Sequence, residues 1–473
     1  MTPTDMAPYD LIVKGGALVD ATNVVQGDLC IRDGKVQAVV RDAAPGQAAS
    51  VVDARGCYVL PGMLDAHVHP IYADTMESLS LSAAHGGITT LIHFIGSGNF
   101  AAWGAKPEWS LADSIQHFRA EGEATSYLDF AFHAAIAQAD DHRKTIPAAV
   151  ALGVTSFKMF LAYKSRGMML SDDQMLDAME AMRDGGALAM VHAESGCAID
   201  HLEQKLIAAG RTSAEHYLPS RPNALEEEAT FRATTFARVA DCPLYVVHMS
   251  CREAMTVTTR AKAAGQAVYS ETCPHYLVLT DDAVRQHGAN FKIGPPLRSR
   301  QDVEALWQAI REGHVDVIAS DHGAHPAEAK RRGADNIFAA PFGVPGAETL
   351  LPIMYHFGVH QSRIPITRLV ELLAERPAKI FGLYPRKGTW QVGADGDVVL
   401  LDPHASTSIT ASTQHSRAGY TAYEGMELQG RIVHTIQRGR TVFERGALRA
   451  RPGWGQFLSR DRRAAVSAER SRA

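Results

Sequence analysis

Two histidines stand two positions apart in the segment Asp65-Ala66-His67-Val68-His69. On a β-strand, side chains at i and i+2 project to the same side, so both imidazoles can reach one metal ion. Lys158 interrupts an apolar run between Phe157 and Met159. His192 follows the run 188–191, His248 follows 244–247, and Asp321 follows 315–319. Imidazole and carboxylate donors are the ligand types of zinc and of its divalent neighbours. A lone histidine among 21 is commonly a surface or core residue. Four histidines and an aspartate, each at or just past an apolar run, are much harder to explain that way. His117, His142, His201 and His314 fall in helical or loop stretches and receive no role.

Lys158 has two readings. An ammonium in a buried apolar strand is costly, so it either pairs with a carboxylate or stays neutral. A neutral amine can react with carbon dioxide to form a carbamate, an anion whose two oxygens can bridge two cations.

These donors need a scaffold that gathers distant segments. Eight apolar runs, near residues 62–64, 90–92, 128–136, 157–161, 188–191, 244–247, 267–269 and 315–319, alternate with helical stretches. Short apolar runs separated by helices are the pattern of buried parallel strands. Ser171 followed by Gln174 resembles a capping box, and Gly185-Gly186 ends that helix. Segments 225–239 and 301–311 also show helical spacing. The fold class expected is α/β, a (β/α)8 barrel, whose active sites lie at the strand C-termini. Both chain ends instead show short apolar runs between Gly and Asp turns, such as 11–13, 29–31, 397–401, 431–433 and 441–443. They predict a small β-sandwich built from residues 1–60 and 388–450, beside a barrel over 61–387 and a C-terminal tail over 451–473.

Hydrophobic residues make up 46% of the 473, enough for a large core, and the net charge is -5. That balance excludes a nucleic-acid surface, which needs clustered Lys and Arg. Only the stretch 460–473 is rich in Arg, and it reads as a solvated or frayed end. No run reaches the ~18 apolar residues of a membrane span. Residues 1–9 lack the basic and apolar regions of a secretory signal. Six dispersed cysteines without a CxxC pair fit free thiols in a reducing compartment. Together these predict a cytoplasmic protein.

Seven motifs carry a family resemblance: GMLDAHVH (62–69), SFKMFLAYK (156–164), VHAE (191–194), VHMS (247–250), ETCPHYL (271–277), PPLR (295–298) and SDH (320–322). In this order, over residues 10 to about 450, the chain resembles the dihydropyrimidinase–hydantoinase branch of the amidohydrolase superfamily. The resemblance implies two divalent metals, usually zinc, with manganese or cobalt as substitutes. His67, His69 and Asp321 would hold the buried metal, and His192 and His248 the more exposed one. Carboxylated Lys158 would bridge them. A water bridging two such metals is activated for attack on a ring amide, with Asp321 as proton shuttle and Tyr163 as oxyanion donor. The resemblance further implies a homotetramer or dimer acting on a small cyclic amide. Some relatives of this kind have lost their metal ligands and serve as scaffolds, but this chain keeps all six.

The pocket departs from the family pattern. Backbone contacts to the ring usually come from a Ser before PPLR and an Asn after the last strand; these places hold Gly294 and Phe342. The segments 340–352 and 321–325 look more like dihydroorotase, and ETCPHYL also resembles allantoinase. Dihydroorotases place an Arg two residues past the second histidine, where this chain has Ile71 followed by Tyr72. A ring carboxylate would lack that partner, and a charge buried without one is strongly unfavourable. The expected substrate is therefore a neutral cyclic ureide or imide, with Phe342, Ile293, Tyr72 and Met168 as apolar walls and Gly294 widening the site. Arg298 and Lys164 are the candidates for a replacement cation, and His325 is either a pocket residue or a loop histidine.

Overall fold

A computed structural model describes residues 8–461. Most of the N-terminal stretch read for a signal (1–7), and most of the Arg-rich stretch (462–473), lie outside the described residues. Five strands come first: β1 (Tyr9–Val19), β2 (Val24–Arg32), β3 (Lys35–Val40), β4 (Ala48–Asp53) and β5 (Tyr58–Pro61). Eight follow with helices between them: β6 (Met63–Val68), β7 (Ile88–Gly96), β8 (Asp129–Ala135), β9 (Ser156–Phe160), β10 (Leu188–His192), β11 (Leu244–Val246), β12 (Val268–Thr272) and β13 (Val317–Ile318). The last four are β14 (Val398–Ile409), β15 (Met426–Gln437), β16 (Arg440–Glu444) and β17 (Ala447–Leu448).

Strands β6 to β13 lie side by side in chain order, and all are parallel. The ring closes where Val68 bridges His322 and the His69 amide donates to the His322 carbonyl at 2.9 Å. These strands coincide with the eight apolar runs, so the expected (β/α)8 barrel is the observed one. The helices start and stop where the caps stand: Ser171 and Gln174 form a capping box at the head of helix Asp172–Asp184, and Gly185 ends it. Leu64, Ala66, Ile92, Phe94, Leu188, Met190, Tyr245 and Val317 share one cluster, while Met63, Val68, Leu91, Val191 and Val246 belong to the other, with helix residues such as Met175 and Met179.

The register of β6 is irregular near its end. Leu64 and Ala66 belong to the first cluster and Val68 to the second, and the pairing with β7 shifts between Asp65 and Val68. A bulge moves side chains to the opposite face. Here the shift turns His67, and with it His69, inward at the end of the strand.

The two chain ends make a nine-stranded, mostly antiparallel sheet. β1 pairs with β2 along its length, but its other edge changes partner, from β4 at residues 9–14 to β5 at 17–18. The change falls at Gly15-Gly16, where Gly15 has φ 74° and a Cβ on Gly16 would lie 2.3 Å from Val59 Cγ2. Only glycine allows that close approach. Antiparallel pairing of β5 with β14 then joins the two ends of the chain. Lys387, 1% exposed, ties this sheet to the barrel: its ammonium lies 2.6 Å from Asp129 on β8, 3.0 Å from Asp395 and 2.7 Å from Asp397.

The segment after β17 corrects one expectation. Arg460 is not frayed but buried, its guanidinium donating to the Phe132 carbonyl and to Ser156 Oγ. Just before it, the Phe130 amide donates to the Gln456 carbonyl and the Leu458 amide to the Phe130 carbonyl. The chain lies along the first half of β8, whose pairing with β9 begins only at Ala134, and so satisfies backbone groups that β9 leaves unpaired.

Candidate metal centre and catalytic pocket

At the C-terminal ends of the barrel strands a cavity of about 270 Å³ opens. His67, His69, Lys158, His192, His248 and Asp321 all line it, with Tyr163, Gly294 and Phe342. Every site residue read from the sequence therefore meets in one place. The nearest ligand atoms of His67, His69 and Asp321 lie within 4.8 Å of one another. His67 Nε2 stands 3.1 Å from Asp321 Oδ1, and His69 Nε2 stands 3.6 Å from it. Across the cavity, His192 Nδ1 faces His248 Nε2 at 3.0 Å.

Two buried carboxylates orient these imidazoles, and the sequence alone assigns a role to neither. Glu271 on β12 sits with Oε1 2.7 Å from His67 Nδ1 and accepts from the His248 amide at 2.8 Å. Its Oε2 accepts from Tyr245 at 2.7 Å. Glu194 Oε2 lies 2.7 Å from His192 Nε2 and accepts from Arg221 at 2.8 Å. Burial pushes Glu194 up, yet Arg221 and His192 outweigh it and bring its pKa down to about 2. An imidazole that donates one N–H to a carboxylate has its other nitrogen fixed as a lone pair. That leaves His67 Nε2 and His192 Nδ1 as lone pairs, both aimed into the cavity. A signal for Glu194 existed: it lies two residues past His192, where an extended chain returns to the same side.

Electrostatics follow from burial. Lys158 is 2% exposed, with Nζ 4.8 Å from the Phe94 ring centroid and 5.2 Å from that of Phe160. Burial pushes its ammonium down to about 8, against the pull of Asp321 and Glu271. Burial also pushes His69 down to about 4 and His248 well below its ordinary value. For Asp321, burial acts upward, but His67, His69 and His248 hold its carboxyl well below the usual carboxylate range. Burial pushes the Tyr163 phenol above its ordinary range, so it keeps its proton.

The backbone is strained at the same place. Among the described residues nine non-glycine positions have positive φ, and four line this cavity: Tyr72 (73°), Tyr163 (64°), His248 (40°) and Asp321 (49°). Each costs of order 1–3 kcal/mol and persists only where its surroundings over-determine it.

The apolar walls named from sequence, Phe342, Ile293, Tyr72 and Met168, all line the cavity. His325 does too, with its ring stacked 3.7 Å from that of Tyr72. Gly294 behaves differently from expectation. A Cβ there would lie 2.9 Å from the Tyr163 hydroxyl and 3.1 Å from Phe342 Cδ1. The glycine does not widen the site; it makes room for those two side chains. Neither candidate cation is in the wall: Arg298 is buried against Glu226 and Ser250, and Lys164 is on the exposed side of its turn. Besides Lys158, the basic side chain that lines the cavity among the described residues is Arg166, in the same turn.

The profile of the amidohydrolase family matches residues 58–442. A D-hydantoinase from Ralstonia pickettii is 36% identical over 464 residues, covering 95% of this chain and 99% of its own. A D-hydantoinase from Rhizobium radiobacter is 37% identical over the same shares. The solved structure of a D-hydantoinase matches with a TM-score of 0.90 at 36% identity, covering 96% of this chain and 99% of that one.

The chain belongs to the hydantoinase branch of the amidohydrolase superfamily. Membership in that superfamily implies a binuclear metal centre, and the His67–His69–Asp321 group is suited to one of its ions. The donor chemistry fits a second ion as well. The close approach of His192 to His248 brings two imidazole nitrogens to one point, while His67 Nε2, buried without a hydrogen-bond partner, serves the first. Among the described residues no helix is long and apolar enough to cross a membrane.

Proposed function

We propose that this protein hydrolyses a ring amide of a small cyclic ureide or imide of the hydantoin or dihydrouracil type. One observation carries this above the others: six metal-type donors and Tyr163 line a single cavity in a chain of the hydantoinase branch. His67, His69 and Asp321 would hold one divalent cation, and His192 and His248 a second. Zinc suits these nitrogen and oxygen donors, and manganese or cobalt fit the same set. The bound pair supplies Lewis acidity toward the scissile carbonyl and lowers the pKa of water at the site.

Lys158 joins the two half-sites as a carbamate. Its neutral nitrogen attacks carbon dioxide: an N–C bond forms as one C=O π bond opens onto oxygen, and one proton passes from the nitrogen to water. The resulting carboxylate removes the cost of a buried ammonium. Asp321 takes the proton of the attacking water and delivers it to the leaving ring nitrogen. Tyr163, still protonated, donates to the oxygen that becomes negative in the tetrahedral intermediate. The backbone at Gly294 holds the ring amide, and Phe342, with Ile293, Tyr72 and Met168, packs on the ring and its substituent. The family likeness also supports a homotetramer or dimer, and the dispersed free cysteines support a cytoplasmic setting.

The test is a hydrolysis panel with metal-loaded protein: hydantoin, 5-substituted hydantoins, dihydrouracil, allantoin, phthalimide-like imides and dihydroorotate. Highest kcat/KM on a hydantoin or dihydrouracil is expected. A tenfold or greater advantage for allantoin or dihydroorotate overturns the assignment.

A further inference from the structure

We infer that the preferred substrate carries a carboxylate at the end of a short ring substituent, and that Arg166 binds it. This rests on the ring-opening activity proposed above and adds the class of substituent.

Arg166 lines the same cavity as the metal-type donors and is exposed. Among the described residues it has no salt-bridge partner. Its guanidinium is nonetheless held in place. Cζ lies 5.4 Å from the Tyr163 ring centroid and 5.6 Å from that of Phe342, the range of cation–π attraction. The turn itself is tied back, with the Arg166 amide donating to the Tyr163 carbonyl at 3.0 Å. A fixed guanidinium without an acid is a fork preset for two carboxylate oxygens.

The wall behind it carries two lysines whose ammonium forms burial disfavours, Lys292 being pushed down to about 7 and Lys330 well below its ordinary value. Lys292 Nζ lies 4.3 Å from the Phe342 ring centroid and donates to the carbonyls of Phe338 and Ala340. Lys330, fully buried, donates to the carbonyls of Lys292 and Pro341. Neither lysine has a carboxylate partner among the described residues. Arg221 also faces Phe342, at 4.8 Å, but Glu194 and Glu203 neutralise it. The only carboxylate lining the cavity among the described residues is Asp321, beside the ligand histidines. An anion beside Phe342 thus meets the guanidinium of Arg166, and among the described residues lining the cavity only the carboxylate of Asp321 opposes it. The neutral ring expected from the missing cation at Ile71 is not contradicted, because Arg166 serves the substituent and not the ring.

The probes are 5-(2-carboxyethyl)hydantoin and its isosteric amide, 5-(2-carbamoylethyl)hydantoin, with unsubstituted hydantoin alongside. Wild type is expected to favour the acid by about tenfold or more in kcat/KM, as one charge-assisted contact supplies. The preference should sit in KM and shrink as salt is added. Arg166→Gln should bring the acid-to-amide ratio to about one, and Arg166→Lys should keep part of it. An acid-to-amide ratio near or below one in wild type, or one that Arg166→Gln leaves intact, overturns the inference. If unsubstituted hydantoin is opened in that case, only the substituent assignment falls. If no cyclic amide is opened at all, the ring-opening activity falls with it.

Discussion

The Oε1 of Glu271 lies 2.7 Å from the Nδ1 of His67, and the same oxygen accepts the amide of His248. One buried carboxylate thereby orients a residue from each half of the proposed metal site. Glu271→Gln keeps the shape but replaces one oxygen by an NH2 group, which cannot accept. Loss of such a supporting partner typically costs 10–100-fold in metal affinity or activity. Metal content after dialysis against a graded chelator is expected to fall at lower chelator strength than for wild type. Identical retention curves would show that Glu271 only fills space.

Lys158→Ala removes the carbamate and should lose most of the bound metal together with turnover. Elemental analysis of the purified variant checks this. Two metals per chain with near-normal rate would refute the bridging role.

Asp321→Asn removes both a ligand charge and the proton carrier. The loss in kcat is expected to exceed the roughly 10²–10⁴-fold of general acid–base catalysis alone. Activity within tenfold of wild type would mean that another group moves the proton.

Tyr163→Phe deletes a hydroxyl and no ligand. Removal of one oxyanion donor costs about 10²–10³ in kcat, so kcat should fall while metal content stays at the wild-type level. A rise in KM alone would make Tyr163 a binding residue that does not act on the transition state.

Lys387→Met leaves the carboxylates of Asp129, Asp395 and Asp397 together without their ammonium. Breaking a buried ion pair from one side costs about 3–5 kcal/mol. A lower midpoint in denaturant is expected, with metal content of the folded fraction unchanged. A midpoint equal to wild type would show that neighbouring cations such as Arg438 already compensate.

What can be read from the sequence divides along a physical line. The barrel strands are legible because burial on both faces leaves continuous apolar runs, and the ligands because they sit at the ends of those runs. Two acids, Glu194 and Glu271, stand inside the family motifs: Glu194 shows itself only by lying two residues past His192, and Glu271 is silent because its partner His67 lies 204 positions away. Arg166 is hidden behind Lys164 and Arg298 because a three-residue turn, Lys164–Arg166, decides which side chain faces the cavity. Gly294 reads as added space, whereas the hydroxyl of Tyr163 and the ring of Phe342, from two other loops, fill it. The burial of Arg460 is invisible in the sequence because its partners, the Phe132 carbonyl and Ser156, lie more than 300 positions earlier.

The sheet made from both chain ends also sets a timetable for synthesis. Lys35 pairs with Asp395, 360 positions later, and β5 waits for β14 over a similar stretch. At about 5–20 residues per second on the ribosome, that interval lasts roughly 20–70 s. Throughout it the nascent chain carries β5 with one edge unpaired, in the state most open to joining a neighbouring chain. The barrel strands, each next to its predecessor, face such a delay only at the closing contact of Val68 with His322.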